Sequence, residues 1–307
     1  MPQSRIDASS RRRLRQAVVP DPDRPEPNPA PAAAVSGLIL DASPHLIVLA
    51  TPAGTEARLP MSDATSIWYA GKADLSALQP GRRAIIRPSA DGLAAERVWV
   101  DIVRAAGTIV VRDGATLDVD EGPHRGVTHV AIPPRTLSQI LVRHPHFEPG
   151  YLVDVIGVRS ADGLLAVRPG TRSQPDYPAD SVPRQRPVEP APPVLAGAAT
   201  WFGAQGGEVA YPALDQSGGG CGDVPAGYAN LPYLSVGSEL YIRNECTGRA
   251  ARMPITQCGC VAGRFRDRCV VCEASPRGRI VELSPAEFVD LGGDLDEGCF
   301  NVTVRVG

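Results

Sequence analysis

The chain has 307 residues, which is enough for two or three domains of ordinary size. Hydrophobic residues make up 43% of it and aromatic residues 5%, while glycine and proline each occur 31 times, a balance that favours packed cores with many short turns over long helices. The formal net charge of −3 argues against binding nucleic acid through bulk positive charge, and no apolar run approaches the roughly 18 residues that cross a bilayer. We therefore expect a folded, multidomain protein with no nucleic-acid partner and no transmembrane span.

Residues 1–35 are expected to form a disordered, proline-rich tail, because they bury too little surface to offset the entropy of ordering. The basic run Arg11–Arg15 resembles the start of a signal peptide, but the run that follows it, Gln16–Pro20, is too short to complete one. No secretion signal is therefore visible. An internal or trimmed start, export by another route and a cytoplasmic location all remain open.

The next segment contains a repeat with an offset of about seventy residues. Both units carry a Pro-Gly pair followed by the sequence SADGL, at residues 89–93 and 160–164. Pro-Gly and Asp-Gly pairs between β-branched runs are turn signals. Each unit, 36–102 and 103–168, is therefore predicted to be a small barrel of five or six strands, and the pair resembles the tandem OB-like barrels of bacterial envelope proteins.

OB-folds often bind nucleic acid or sugars, but the aromatic residues that stack on bases or sugar rings are few here. The first unit holds Trp68, Tyr69 and Trp99. A spacer or display role is therefore the simpler interpretation of both barrels. The pair His144 and His146 is interpreted as part of a loop before a strand rather than as a metal site.

Residues 169–196 are rich in proline and polar residues, which predicts an extended, semi-rigid linker between domains. The region after it, 197–307, is predicted to be mostly β. An alternating run, Val236–Asn244, turns at Thr247-Gly248 and returns, and Asn301–Val306 forms the last strand.

One short helix is predicted in this last region. Ser284 is its expected N-cap, Pro285 fits its first turn, and Glu287 completes a capping box. Gly292 is expected to end it. The predicted fold class is therefore all-β, with a single short helix in the C-terminal domain.

Four motifs in this region resemble the double-psi β-barrel family that includes rare lipoprotein A, the expansins, barwin and the secreted papain inhibitors. They are Ala199–Gly203 (ATWFG), Cys221-Gly222, Thr247-Gly248 and Gly278–Ser284 (GRIVELS). The resemblance covers about 198–306 and implies a six-stranded barrel with a groove for glycan strands, in which an aspartate before the helix acts as an acid. Glycan cleavage needs such a group, because a carboxyl with a raised pKa must protonate the glycosidic oxygen.

Two registers place the family's acid differently, and both remain open. Counting from the Thr247-Gly248 turn puts it at Gln257, whose amide cannot donate a catalytic proton, so that the barrel would be a non-hydrolytic binder. The signature Asp267-Arg268-Cys269 matches the family's residue identities and puts the acid at Asp267. This register requires an insertion of about ten residues before Asp267.

Four further residues are candidates that the resemblance suggests. Asp223 and Glu282 would assist the acid, although a turn cap for Asp223 and a solvated or Arg-paired strand end for Glu282 are the simpler interpretations. Tyr228 replaces the histidine that rare lipoprotein A has before its Leu-Pro. Trp201 would stack on a sugar ring, though an aromatic residue in a first strand more often lies in the core.

All seven cysteines lie between Cys221 and Cys299, whereas all five histidines precede residue 147. The C-terminal region therefore has no histidine of its own as a base or metal ligand. Two roles of the cysteines remain open. They could bind zinc in a knuckle, or they could form disulfides, which suit a small secreted barrel and which the family relatives use. Disulfides are favoured, and a seventh thiol is left over. The ligands of the alternative zinc site would be Cys258, Cys260, Cys269 and Cys272.

The sequence therefore predicts a secreted or cell-envelope protein that binds cell-wall polysaccharide of the peptidoglycan type, with no cofactor. Catalysis stays open. If the protein cleaves glycan, as a lytic transglycosylase does, Asp267 is the expected general acid. The alternatives are an expansin-like wall binder without chemistry, a protease inhibitor of the papain-inhibitor type, and a purely structural surface protein.

Overall fold

The computed structural model describes residues 33–171, 178–184, 188, 192–203, 208–215, 227–269 and 276–307. Within those ranges the chain forms twenty β-strands and two α-helices. The prediction of an all-β protein is therefore confirmed. Nearly all of the predicted N-terminal tail lies outside the described residues, and so do the candidates Asp223, Cys221 and Cys272.

The first seven strands form one sheet. Strands β1 to β7 are Val35–Ser43, Leu46–Ala50, Glu56–Pro60, Ser66–Trp68, Lys72–Ala73, Arg83–Pro88 and Ala95–Val100. Their order in the sheet is β3-β2-β1-β6-β7-β4-β5. Buried residues alternate along β6, where Ala84 and Ile86 point into an apolar core, as expected for a strand with one face on the core.

The next five strands close into a barrel in the order β10-β12-β11-β8-β9. Strands β8 to β12 are Ile102–Asp113, Thr116–Asp120, Val127–Ala131, Leu152–Ser160 and Gly163–Pro169. A helix that the sequence analysis did not predict, α1 (Pro134–Leu141), follows β10 and buries Ile140 in the barrel core. The helix has only two turns, so its apolar residues repeat too few times to show a helical period in the sequence.

The sequence repeat corresponds to a repeated strand geometry. A Cβ atom at Gly37 would lie 2.3 Å from a carbonyl oxygen of the neighbouring strand, and one at Gly107 would lie 2.1 Å from the equivalent oxygen. In both strands a bulge follows directly, after Ile39 in β1 and after Ile109 in β8. Only glycine permits this close approach of two backbones, which explains its presence at both positions.

The last eight strands form a third sheet. Strands β13 to β20 are Leu195–Trp201, Val209–Tyr211, Glu239–Asn244, Ala250–Pro254, Gln257–Cys258, Arg266–Asp267, Arg277–Leu283 and Cys299–Val306. Seven follow the order β16-β15-β20-β13-β19-β14-β17, and β18 pairs with β19. The pairs β13–β19 and β14–β17 are parallel, whereas the other pairs of this sheet are antiparallel, so the chain crosses over itself within it.

The predicted C-terminal helix is present as α2 (Pro285–Asp290), with Ser284 as its N-cap residue and Gly292 in the left-handed region just after it. The expected capping box is not formed, because the Ser284 side chain makes no cap hydrogen bond. Ser284 is fully buried, and its backbone N–H donates to Glu208.

The expected linker is partly packed against the barrels. In its described part, a short 3-10 turn at Ala179–Ser181 follows Pro178, which bridges to Tyr151, and Ala179 and Val182 are buried. They share an apolar cluster with Phe265 of the third sheet. A further cluster joins all three sheets through residues that include Trp68, Trp99, Ile102, Ile156 and Trp201. The sheets therefore form one body rather than separately tethered modules.

Candidate functional site

Asp267, the expected acid, lies on β18 with no exposed surface. Both of its oxygens accept hydrogen bonds from Arg279, from Nε at 2.9 Å and from Nη2 at 3.1 Å. Arg279 is equally buried, on the neighbouring strand β19, and it packs its guanidinium 4.3 Å from the centre of the Phe265 ring. A carboxylate held on both oxygens by a buried guanidinium is a geometry typical of a structural ion pair.

Arg279 also reaches across to the closed barrel. Its Nη2 atom donates to Asp154 of β11 at 2.8 Å, and Asp154 is held on its other side by Arg104 of β8. Nη1 of Arg104 donates in turn to the backbone oxygen of Gly298 at 2.6 Å. This buried network therefore joins the second and third sheets through charged groups that water does not reach.

Glu282 is the third carboxylate of the network. It is almost fully buried on β19 and faces Arg279 at 3.5 Å and Nη2 of Arg125 at 2.6 Å. Arg125 comes from the turn between β9 and β10, and its guanidinium lies 4.1 Å from the centre of the Phe202 ring. The simpler interpretation of Glu282 as an Arg-paired residue thus has a structural basis, with two arginine partners.

The charges in the network set the ionisation of its carboxylates. Burial alone would raise the pKa of Asp154, but Arg104 and Arg279 outweigh it and hold that pKa at about 2. Burial likewise opposes ionisation of Glu282, and the guanidinium groups of Arg125 and Arg279 lower its pKa overall. A general acid needs the opposite shift, towards neutral pH.

The turn that carries Arg125 covers this part of the third sheet. Its residue Gly122 is buried, and a Cβ there would come within 3.0 Å of Val261. Glu121 at the start of the turn accepts hydrogen bonds from Thr128 and from the backbone N–H of Ala106. Burial raises the pKa of Glu121 to about 6 in spite of these bonds. We refer to residues 121–126 as the covering turn.

Two of the predicted sugar-binding residues are engaged within the protein. Trp201 is 1% exposed, and its indole N–H donates to the backbone oxygen of Leu295 at 2.8 Å. Gln257 on β17 is half-buried and donates from Nε2 to Glu208 at 2.9 Å. Trp201 also lines a cavity of about 270 Å³ with Trp99 and Ile102, at the junction of the three sheets.

Tyr228 has a different setting. It lines an open cleft of about 470 Å³ on the third sheet, together with Asn230, Arg266 and Arg277. Asn230 and Arg266 are exposed, and the Arg266 guanidinium lies 5.9 Å from the centre of the Tyr228 ring. Arg277 is held in place by two hydrogen bonds of 2.9 Å to Glu245.

The cysteines pair in part as disulfides. Cys258 is paired with Cys260, and Cys269 with Cys299, with Cα–Cα distances of 5.4 and 5.8 Å. Cys246 is also disulfide-bonded. Of the four ligands of the alternative zinc knuckle, Cys272 lies outside the described residues and Cys269 forms a disulfide with Cys299. Where the structure is described, no cysteine is free.

Sequence reasoning missed several residues of this region. Asp154 carried one signal, because it is a lone carboxylate within the apolar run Leu152–Ile156, all of which is buried. Arg104 and His124 carried none, since the residues that they meet are at least 50 positions away in the chain. Long-range partners of this kind cannot be inferred from the spacing of residues within a motif.

No protein-family model and no curated protein sequence matches the chain. Among solved structures, the chain matches a Drosophila structure described as Unr CSD456, at 15% identity and a TM-score of 0.18, over 57% of this chain and 73% of that one. A similarity this low carries no argument about fold or function. None of the helices in the described ranges has the length and hydrophobicity needed to cross a membrane.

Proposed function

We propose that the protein is a non-catalytic binder of cell-wall polysaccharide that acts at the cell envelope or outside the cell. Its third sheet would be a double-psi β-barrel, and its first two sheets would be OB-like barrels that support it. The motif order between residues 198 and 306 favours this assignment, and so does the crossed-over sheet with its two parallel strand pairs. Paired cysteines are compatible with an oxidising compartment.

The Tyr228 cleft is the observation that carries the proposal. It combines an aromatic ring with an exposed amide (Asn230) and an exposed guanidinium (Arg266), which are the groups that contact the faces, hydroxyls and carboxylates of sugars. The candidate acids Asp267 and Glu282, by contrast, are buried and matched by arginine. This separation favours recognition without cleavage, because Asp267 and Glu282 have almost no exposed surface to offer to a sugar in the cleft.

A sedimentation assay with insoluble peptidoglycan tests the proposal. The full chain should sediment with the polymer, and Tyr228→Ala and Arg266→Ala should each weaken binding by about tenfold, as loss of a central contact residue does. Tyr233→Ala is the matched control, since Tyr233 is 39% exposed but does not line the cleft. Circular dichroism establishes that each variant is folded.

Two results would contradict the proposal. One is release of soluble glycan fragments by the purified chain, which would make it an enzyme. The other is unchanged binding of the folded Tyr228→Ala and Arg266→Ala variants, which would place recognition on another surface.

A further inference from the structure

A histidine from the closed barrel meets two cysteines from the third sheet. The ligand atoms of His124, Cys258 and Cys260 all lie within 4.8 Å of one another. Among the described residues, this is the one group of three or more histidine, cysteine or carboxylate side chains with the spacing of a metal site. His124 is separated from both cysteines by more than 130 positions in sequence, so only the packing of the two sheets brings it to them.

His124 is held in position by the covering turn. The backbone N–H groups of Arg125 and Gly126 both donate to the carbonyl oxygen of Gly122, at 3.1 and 2.9 Å, which closes the turn around His124. The ion pair between Arg125 and Glu282, at 2.6 Å, fixes the turn to the third sheet one residue away. An exposed imidazole is thus directed at the cysteines before any ligand binds.

The two cysteines are fixed by the sheet as well. Cys258 ends β17 and pairs with Tyr211 of β14, and the N–H of Gly259 donates to the Tyr211 carbonyl oxygen at 3.0 Å. Cys260 follows at the start of a turn and is half-buried. A phosphine and one water molecule convert the Cys258–Cys260 disulfide into two thiols beside His124, and the phosphine leaves as its oxide.

We infer that the reduced protein binds one Zn²⁺ ion through His124, Cys258 and Cys260, with the fourth position open to water or another ligand. Zinc takes thiolate and imidazole ligands at about 2.3 and 2.0 Å in a tetrahedron, whose ligand atoms are then about 3.5–3.8 Å apart. The ligand atoms of the three residues lie within 4.8 Å of one another, so a shift of about 1 Å brings them to this spacing once the disulfide opens. Binding displaces the two thiol protons, so that two thiolates and a neutral imidazole face the ion.

The inference does not depend on polysaccharide binding, and metal content tests it directly. The full chain is reduced with a phosphine, freed of reductant under argon, equilibrated with zinc chloride and passed through a desalting column. We expect one zinc per chain by mass spectrometry, and a thiolate-to-metal charge-transfer band when cobalt replaces zinc. His124→Ala should weaken zinc binding by more than about tenfold. His45→Ala, which removes an exposed histidine in a turn of the first sheet, should not.

Cys260→Ser supplies a second variant, because it removes a thiolate ligand and prevents the disulfide at once. It should lose the cobalt band while its circular dichroism stays that of the wild type. Absence of zinc from the folded, reduced chain would overturn the inference. So would zinc that His124→Ala and Cys260→Ser both retain, since the metal would then be bound at other thiols.

Discussion

Replacing Asp267 by asparagine distinguishes a structural carboxylate from a catalytic one. Removing one side of a buried ion pair costs about 3–5 kcal/mol, because the remaining charge stays buried without its partner. Arg279 would keep Asp154 at 2.8 Å and Glu282 at 3.5 Å, which moves the expected loss to the lower end. We therefore expect Asp267→Asn to lower the free energy of unfolding by about 3 kcal/mol.

Urea denaturation followed by tryptophan fluorescence measures this loss, with the unfolding free energy extrapolated linearly to water. Asp63→Asn is the matched control, because Asp63 is exposed and its replacement should change the unfolding free energy by less than about 0.5 kcal/mol. A catalytic acid gives the opposite pattern, with stability preserved and glycan turnover lost. An Asp267→Asn chain as stable as the wild type would refute the assignment of Asp267 to a structural network.

Three other predictions concern pH and packing. The pKa of Asp154 is depressed to about 2, so the stability that it contributes is present above its unfolded pKa near 3.8, and urea titrations should show it lost as the pH falls from about 4 to 2. Burial raises the pKa of Glu121 to about 6, so its contribution to stability is complete below about pH 4.5 and is lost as the pH rises through 6. In the same titrations Glu121→Gln should therefore be more stable than the wild type by about 2 kcal/mol at pH 8 and equally stable at pH 4. Gly107→Ala should lower stability by about 2 kcal/mol, since its Cβ would lie 2.1 Å from a backbone oxygen, whereas Gly203→Ala, which meets nothing within 4 Å, should leave the melting temperature unchanged.

Local signals account for the parts of the fold that were predicted. Turn pairs and alternating runs indicated the β class, and the 70-residue repeat has a counterpart in Gly37 and Gly107, where backbones approach too closely for any side chain. Ser284 and Gly292 marked the ends of α2. These features depend on contacts between near neighbours or between adjacent strands, which leave a trace in sequence spacing.

The candidate site was predictable only in part, because its partners come from different sheets. Asp267 and Glu282 were named from the motif order, but their surroundings depend on Arg279, on Arg125 from the covering turn, and on Asp154 from the closed barrel. The sequence gives no measure of how the barrels pack against each other. An acid that a motif would place in a groove is therefore found inside an interface.

The arrangement of the buried charges gives them a role in packing the sheets. Three arginines, Arg104, Arg125 and Arg279, pair with three carboxylates at the junction of the second and third sheets, and two of these pairs cross it. Such a network adds little net stability over an apolar interface. Separating the sheets would, however, break the Arg279–Asp154 and Arg125–Glu282 ion pairs, so the network fixes one packing of the sheets against others. The same arginines that fix this packing hold the pKa of Glu282 low, which removes the proton that glycan cleavage requires. We therefore expect these carboxylates to join the barrels rather than to act as acids, and the sugar binding proposed above would fall to the Tyr228 cleft.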